Sequence, residues 1–201
     1  TAKTYAETKA TEAKNAAEAA AAALDDAIQV GGRNLLKYSD TKITLSGSDR
    51  PASRTHSFTN GVSTITYNSA GGNLSAYGWL QGFLIDANLA NLHNAYITLS
   101  VDVKTNSDGF EFGFDVRDSS HNNRVVSEVA TISDTKNEWI RVSSTLFFPD
   151  DSLNRGWMLG FFRGNSNLKD GDEIEFRKFK FEKGNKATDW TPAPEDVQAE
   201  I

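Results

Sequence analysis

Two hydrophobic periods divide this chain. Over residues 1–30, TAKTYAETKATEAKNAAEAAAAALDDAIQV, the apolar positions Ala6, Ala10, Ala13, Ala17, Ala20, Leu24 and Ala27 alternate steps of four and three. That is the spacing of a coiled-coil seam along one side of a helix. Ala, Glu and Lys dominate the segment and no Gly or Pro interrupts it before Gly31 and Gly32, which predicts one long helix ending there. Lys3 with Glu7 and Lys14 with Glu18 lie off the seam at the separation of helix-surface ion pairs. At 1.5 Å per residue such a helix reaches on the order of 40 Å, so it projects from any domain attached to it. A buried methylene contributes about 0.8 kcal/mol, and an Ala seam buries few of them, so its association is weak by itself. Two readings stay open: a helix isolated or packed on its own chain, or a connector that joins copies into a homo-oligomer. The expected copy number is three, which the seam itself does not fix.

From Arg33 to about Trp190 the period changes to two. Runs rich in Val, Ile, Thr, Phe and Tyr alternate in polarity between clusters of Gly, Asn, Asp and Ser, as in an antiparallel sandwich or barrel. Eight strands are predicted: STITYN, GWLQGFLI, AYITLSVDVKT, FEFGFDVR, RVVSEVATI, EWIRVSSTLFF, WMLGFFRG and DEIEFRKFKFE. Their number suggests a jelly roll. In FEFGFDVR, Phe110, Phe112, Phe114 and Val116 share a packed face, while Glu111, Gly113, Asp115 and Arg117 share a face expected to meet solvent. The last strand keeps Ile174 and Phe176 in register, then switches to Phe179 and Phe181, which predicts a bulge near Arg177 and Lys178. The expected organisation is a helical connector over 1–30, a β-sandwich module over 31–192, and the start of a second helical connector over 193–201. Pro194 suits the first turn of that last helix, and Glu195 and Asp196 suit its N-terminus.

Charge and composition narrow the partners. A net charge of -6 argues against a nucleic-acid backbone or an anionic membrane surface as the main partner, since both select basic patches. The longest apolar stretch, Ala19 to Leu24, is far too short to span a bilayer. With no Cys, disulfides, thiolate metal sites and thiol nucleophiles are absent together.

The phrases VGGRNLLKYSD, AYITLSVDVKT, NEWIRVSSTLFF and, most specifically, FRKFKFEKGNKATDWTPAPEDV resemble the carbohydrate-binding-type modules of tail and baseplate proteins from phages that infect Gram-positive bacteria. The resemblance spans Val30 to Val197. It implies a galactose-binding-like jelly roll without catalysis, located at the virion tail tip or baseplate. Its partners would be host cell-wall polysaccharide and other virion tail proteins. It also implies a structural calcium, for which the residues name no ligand: DGDEIEF and PDDSLN are acidic loops without the spacing of a dedicated calcium loop, and DGDE reads more simply as a turn at Gly171.

A saccharide site needs aromatic rings for C–H faces and planar polar side chains for hydroxyls. In SAYGWLQGFLI, Ala76, Leu80 and Leu84 suit a packed face, which would set Tyr77, Trp79 and Gln81 together on the other. Asp115 and Arg117 share the polar face of their own strand, and a concave sheet would bring them near Trp79. Trp157 and Arg163 are further candidates, although Leu159 and Phe161 on their side of the strand suggest a core face. Trp139 and Trp190 read as packing residues. Against this stand two alternatives: a spacer or protein-docking module of the tail assembly, and a glycoside hydrolase using two of Glu111, Asp115, Glu128 and Glu173. His56, His93 and His121 are scattered and match no zinc-protease or nucleophile-elbow pattern.

Overall fold

A computed structural model describes residues 2–27, 32–37, 39, 54–68, 79–84, 92–118, 124–148 and 155–198; at 79–84, 124, 155–157 and parts of the first helix this is the backbone alone. The N-terminal helix α1 spans Ala2–Ala27. The predicted pairs Lys3–Glu7 and Lys14–Glu18 form at 3.9 and 3.6 Å, and Lys9–Glu12 joins them at 2.6 Å. Ala10, Ala13, Ala17 and Ala20 of the seam are exposed in the single chain.

Among the described residues ten strands follow: β1 (Arg54–Thr59), β2 (Val62–Tyr67), β3 (Trp79–Leu84), β4 (Ala95–Thr105), β5 (Phe110–Asp118), β6 (Arg124–Val126), β7 (Ala130–Ile132), β8 (Ile140–Phe148), β9 (Arg155–Gly164) and β10 (Glu173–Lys183). All strand pairings are antiparallel. One sheet has the order β1-β2-β10-β4-β8, and the other has β3-β9-β5-β6 with β7 also paired to β5. The two sheets form a sandwich of the jelly-roll kind. Between them Phe110, Phe112, Phe114, Val116, Met158 and Phe162 of one sheet meet Ile65, Leu99, Val101, Ile174, Phe176, Phe179 and Phe181 of the other.

Two departures from the eight expected strands have local causes. The strand β1 has weak alternation of its own and is created by its turn: Asn60 and Gly61 both take positive φ, 51° and 77°, between Thr59 and Val62, the backbone of a two-residue hairpin loop. The run RVVSEVATI is two strands, because Ser127 and Glu128 leave the ladder to stitch the sheets together. Ser127 donates its N–H to Phe114 O at 2.9 Å, while Glu128 donates its N–H to Thr145 O of the opposite sheet at 2.9 Å. Ser144 Oγ, 2.6 Å from Ser127 Oγ, completes the stitch. A third correction concerns β5, whose second face is not solvated: Gly113 and Asp115 are both buried.

The expected bulge is present. Between Arg177 and Lys180 the register against β4 shifts, with Lys178 at φ 54°, so that Phe176 and Phe179 both point into the core. Buried Asn34 holds this irregularity. Its Nδ2 donates to Phe179 O, Thr191 O and Ser39 Oγ at 3.2, 2.9 and 3.0 Å, and its Oδ1 accepts the N–H groups of Phe181 and Leu36 at 3.1 and 3.0 Å. Trp190 Nε1 also donates to Phe179 O at 3.1 Å, as expected of a packing residue. The segment leading into the module and the segment leaving it are thereby tied to the same turn of β10. The outgoing chain continues into the short helix α2 (Pro194–Gln198), where Arg33 pairs with Glu195. The backbone N–H of Glu195 and the nearby Arg33 charge hold this exposed carboxyl below its usual range.

Replacing Asn34 by Ala strands several buried backbone groups at once. The variant should lose about 2–4 kcal/mol of stability, read as a fall in denaturation midpoint. An unchanged midpoint would remove Asn34 from this account.

Candidate functional site

The pairing of β5 with β9 runs without a shift from Phe110 opposite Gly164 to Arg117 opposite Trp157. Directly opposed residues share a face, so alternate rows belong to alternate sides of the sheet. The rows Phe112–Phe162, Phe114–Gly160 and Val116–Met158 line the core. The intervening rows, Glu111–Arg163, Gly113–Phe161, Asp115–Leu159 and Arg117–Trp157, make the outer face. Strand β3 extends it by placing Trp79 opposite Arg163, and β6 extends it by placing Arg124 opposite Arg117.

Register therefore gathers Trp79, Asp115, Arg117, Trp157 and Arg163 on one face of one sheet. Gln81 does not join them. The ladder shifts between Trp79 and Gln81, leaving Gln81 opposite core-lining Phe162, while Leu84, expected on the packed face, stands opposite Leu159 in an outer row. Simple alternation fails at that irregularity. Tyr77 and Ala76 lie outside the described residues.

Two ion pairs dominate the outer face. Arg117 donates Nε and Nη2 to Asp115 Oδ1 and Oδ2 at 2.8 and 2.7 Å, a two-point grip that fixes both side chains. Asp115 is 0% exposed and the Arg117 side chain 20%. Arg163 Nε donates to Glu111 Oε2 across the strands, with side chains 25% and 19% exposed. Glu111 and Asp115 are four residues apart, about 13 Å along an extended strand. Between the pairs, Phe161 lies over Gly113: a Cβ there would come within 2.7 Å of Phe161 Cζ. The Arg163 guanidinium carbon is 5.8 Å from the Phe161 ring centroid. Phe161 is itself only 3% exposed, so it forms the floor of the face and supports Arg163. The apolar character expected on the Trp157–Arg163 side of β9 is real, but Leu159 and Phe161 are buried on the side of the sheet away from the main core.

Sequence reading missed the roles of Glu111, Gly113 and Phe161. Their meaning depends on a partner about 50 residues away, and only the strand register reveals it. The signal that could have found it is the matching alternation of FEFGFDVR and WMLGFFRG.

Other candidates have structural partners. Trp139 lies under Arg177, whose guanidinium carbon is 4.0 Å from the ring centroid. His93 packs on Phe148 and His56 stacks on Phe176, while His121 lies outside the described residues. Glu173 Oε2 accepts a bond from Thr66 Oγ1 at 3.1 Å. In the Asp170–Asp172 loop, Gly171 has φ 82° and Asp172 Oδ2 accepts the Lys169 N–H at 2.8 Å, the arrangement of a turn. Among the described residues no group of three or more His, Asp or Glu side chains is placed to hold a metal ion, and residues 149–154, the other acidic loop, lie outside them. Among the described helices, none is long and apolar enough to cross a membrane.

Comparison with solved structures places this architecture. The tripod (BppUct-A-L) from the baseplate of bacteriophage Tuc2009 is similar over 85% of this chain and 61% of that chain, with TM-score 0.51 and 20% identity. The CBM22-1 xylan-binding domain from Paenibacillus barcinonensis Xyn10C is similar over 79% of this chain and 99% of that one, with TM-score 0.45 and 11% identity. A putative sugar binding protein from Bacteroides thetaiotaomicron is similar over 75% of this chain and all of the other, with TM-score 0.49 and 13% identity. No protein-family profile and no curated protein matches the chain. These likenesses describe a shared fold.

The grip on Asp115 has a measurable consequence. Arg117→Ala removes two charge-assisted bonds from a fully buried carboxylate, and should cost about 2–3 kcal/mol in chemical denaturation. Glu111→Ala acts on a partly exposed pair and should cost under about 1 kcal/mol. Equal losses would contradict the burial difference between the two rows.

Proposed function

We propose that this module binds saccharide on the outer face of the β3-β9-β5-β6 sheet, and that it serves adhesion rather than catalysis. The observation that carries the reading is the register: it assembles Trp79, Arg163, Glu111, Asp115, Arg117 and Trp157 on a single face. Paired guanidinium and carboxylate groups on neighbouring strands present rigid planar hydrogen-bonding edges, and Trp79 and Trp157 occupy register positions flanking them. The two ion-pair rows lie about 13 Å apart, longer than one pyranose ring, so the face suits a short run of linked sugars. Glu111 and Asp115 are each committed to an arginine, which suits binding better than proton transfer to a glycosidic oxygen.

The wider setting rests on resemblance. The closing phrase FRKFKFEKGNKATDWTPAPEDV and a fold shared with a baseplate tripod support a tail or baseplate protein of a phage, acting at the surface of a Gram-positive host. The wall polysaccharide is the natural ligand in this reading. The same resemblance carries the expectation of a structural calcium. Self-association would run through α1, as a trimer.

The test is retention of a fluorescent fusion on a panel of Gram-positive cells. We expect one strain group to retain it, its soluble wall polysaccharide to compete, and Trp79→Ala to lower retention at least tenfold while the protein still folds. Absence of retention on every strain, even with the fragment forced into a trimer, would favour a spacer or docking role within the virion. Release of reducing ends from that polysaccharide would overturn the binding-only reading.

A further inference from the structure

The outer face is asymmetric in what it shows a ligand, although its described charges are balanced. Asp115 is 0% exposed with both oxygens engaged by Arg117, while the Arg117 and Arg163 side chains remain 20% and 25% exposed. A guanidinium carries donors only, in a planar fork that matches carboxylate and phosphate oxygens. Arg124 takes the register position opposite Arg117 on β6. Among the described side chains of these rows, Glu111 offers the partly exposed carboxylate against them. In an acidic protein of net charge -6, the partly exposed guanidinium groups of Arg117 and Arg163 lie on the face where the candidate residues converge.

We propose that the ligand of this face is an anionic saccharide, one that carries carboxylate or phosphodiester groups. This rests on the reading of the face as a saccharide site. Glu111 then acts as an internal competitor for Arg163: it holds the guanidinium in place over Phe161 and gives way in part to the oxyanion of the ligand. Neutral glycans would have hydrogen bonds to gain from the arginines, but nothing to gain from the burial of Asp115.

The whole chain would be tested for affinity-gel retardation by three polymers: polygalacturonate, poly(glycerol phosphate) and a neutral galactan, each at low and high salt. Retardation by one or both anionic polymers that weakens with salt is expected, and which polymer acts identifies carboxylate or phosphodiester as the source. Arg163→Gln should weaken it on the order of tenfold, while Glu111→Gln should strengthen it, an outcome that mere structural damage would not produce. Retardation by galactan as strong as by either anionic polymer, indifferent to salt and to Glu111→Gln, would overturn the anionic assignment while leaving a saccharide site. Failure of all three to retard a folded protein would overturn it as well. If that protein also fails to bind cells, the saccharide reading falls with it.

Discussion

The unshifted ladder between β5 and β9 is the constraint on which the rest of the molecule depends. Eight consecutive pairs, from Phe110–Gly164 to Arg117–Trp157, send Phe110, Phe112, Phe114 and Phe162 to one side of the sheet and Glu111, Asp115, Arg117 and Arg163 to the other. A slip of one residue would exchange the two sets, burying Glu111 and Arg117 in the main core and exposing Phe112 and Phe114. Loss of a few large buried side chains at roughly 1.5–3 kcal/mol each would be comparable to the whole stability of an ordinary domain, roughly 5–15 kcal/mol. The apolar face therefore fixes the register, and the register positions the candidate site. Gly113 contributes by leaving room for Phe161 to lie across β5.

The opposite sheet solves a different problem. Its central strand β10 carries a bulge, and an unpaired segment of a central strand would leave backbone groups unsatisfied. Asn34 supplies those partners, and a buried ion pair secures the neighbouring turn. Lys180 lies 3.6 Å from Glu182, and its Nζ donates to Thr188 Oγ1 at 2.6 Å and to Asp189 O at 2.8 Å. Glu182 accepts the Thr188 N–H at 2.9 Å and its hydroxyl at 2.7 Å. Burying two charges is costly unless further hydrogen bonds complete their shells, and here Thr188 serves both ions. The phrase FKFEKGNKATDW thus has a physical reason at more than half of its positions. Phenylalanines fill the core, Lys180 and Glu182 bind the returning chain, and Trp190 caps the bulge.

Legibility followed the range of the interactions. The helix, the extent of β4 and the bulge at Arg177 and Lys178 were readable because period and propensity are local. Strand β1 escaped because its evidence was the Asn60–Gly61 turn rather than alternation. The break at Ser127 was hidden because its cause is a contact with Ser144 and Thr145 on another sheet. At the site, the types of residue were readable and their neighbours were not. Arg117 and Asp115 are two apart on one strand, so their pairing could be seen; Glu111 and Arg163 are joined only by register. Where the register itself shifts, at Trp79 to Gln81, alternation gave the wrong grouping.

The chemistry of the face bears on why an alanine seam would be attached to it. Paired side chains on a sheet surface are held in place before any ligand arrives, which lowers the ordering cost of binding. Yet each guanidinium already has a carboxylate partner, so a ligand exchanges one charge-assisted bond for another and gains little per contact. A face of this kind would yield modest affinity from a single copy. In the proposed setting the wall presents many repeats of its saccharide, and copies joined through α1 would engage several at once, at an effective concentration set by the connector. Strength would then come from the number of modules rather than from any one of them. The exposed stripe of Ala10, Ala13, Ala17 and Ala20 permits close approach of helices but buries little, so that arrangement also requires assembly contacts beyond this helix.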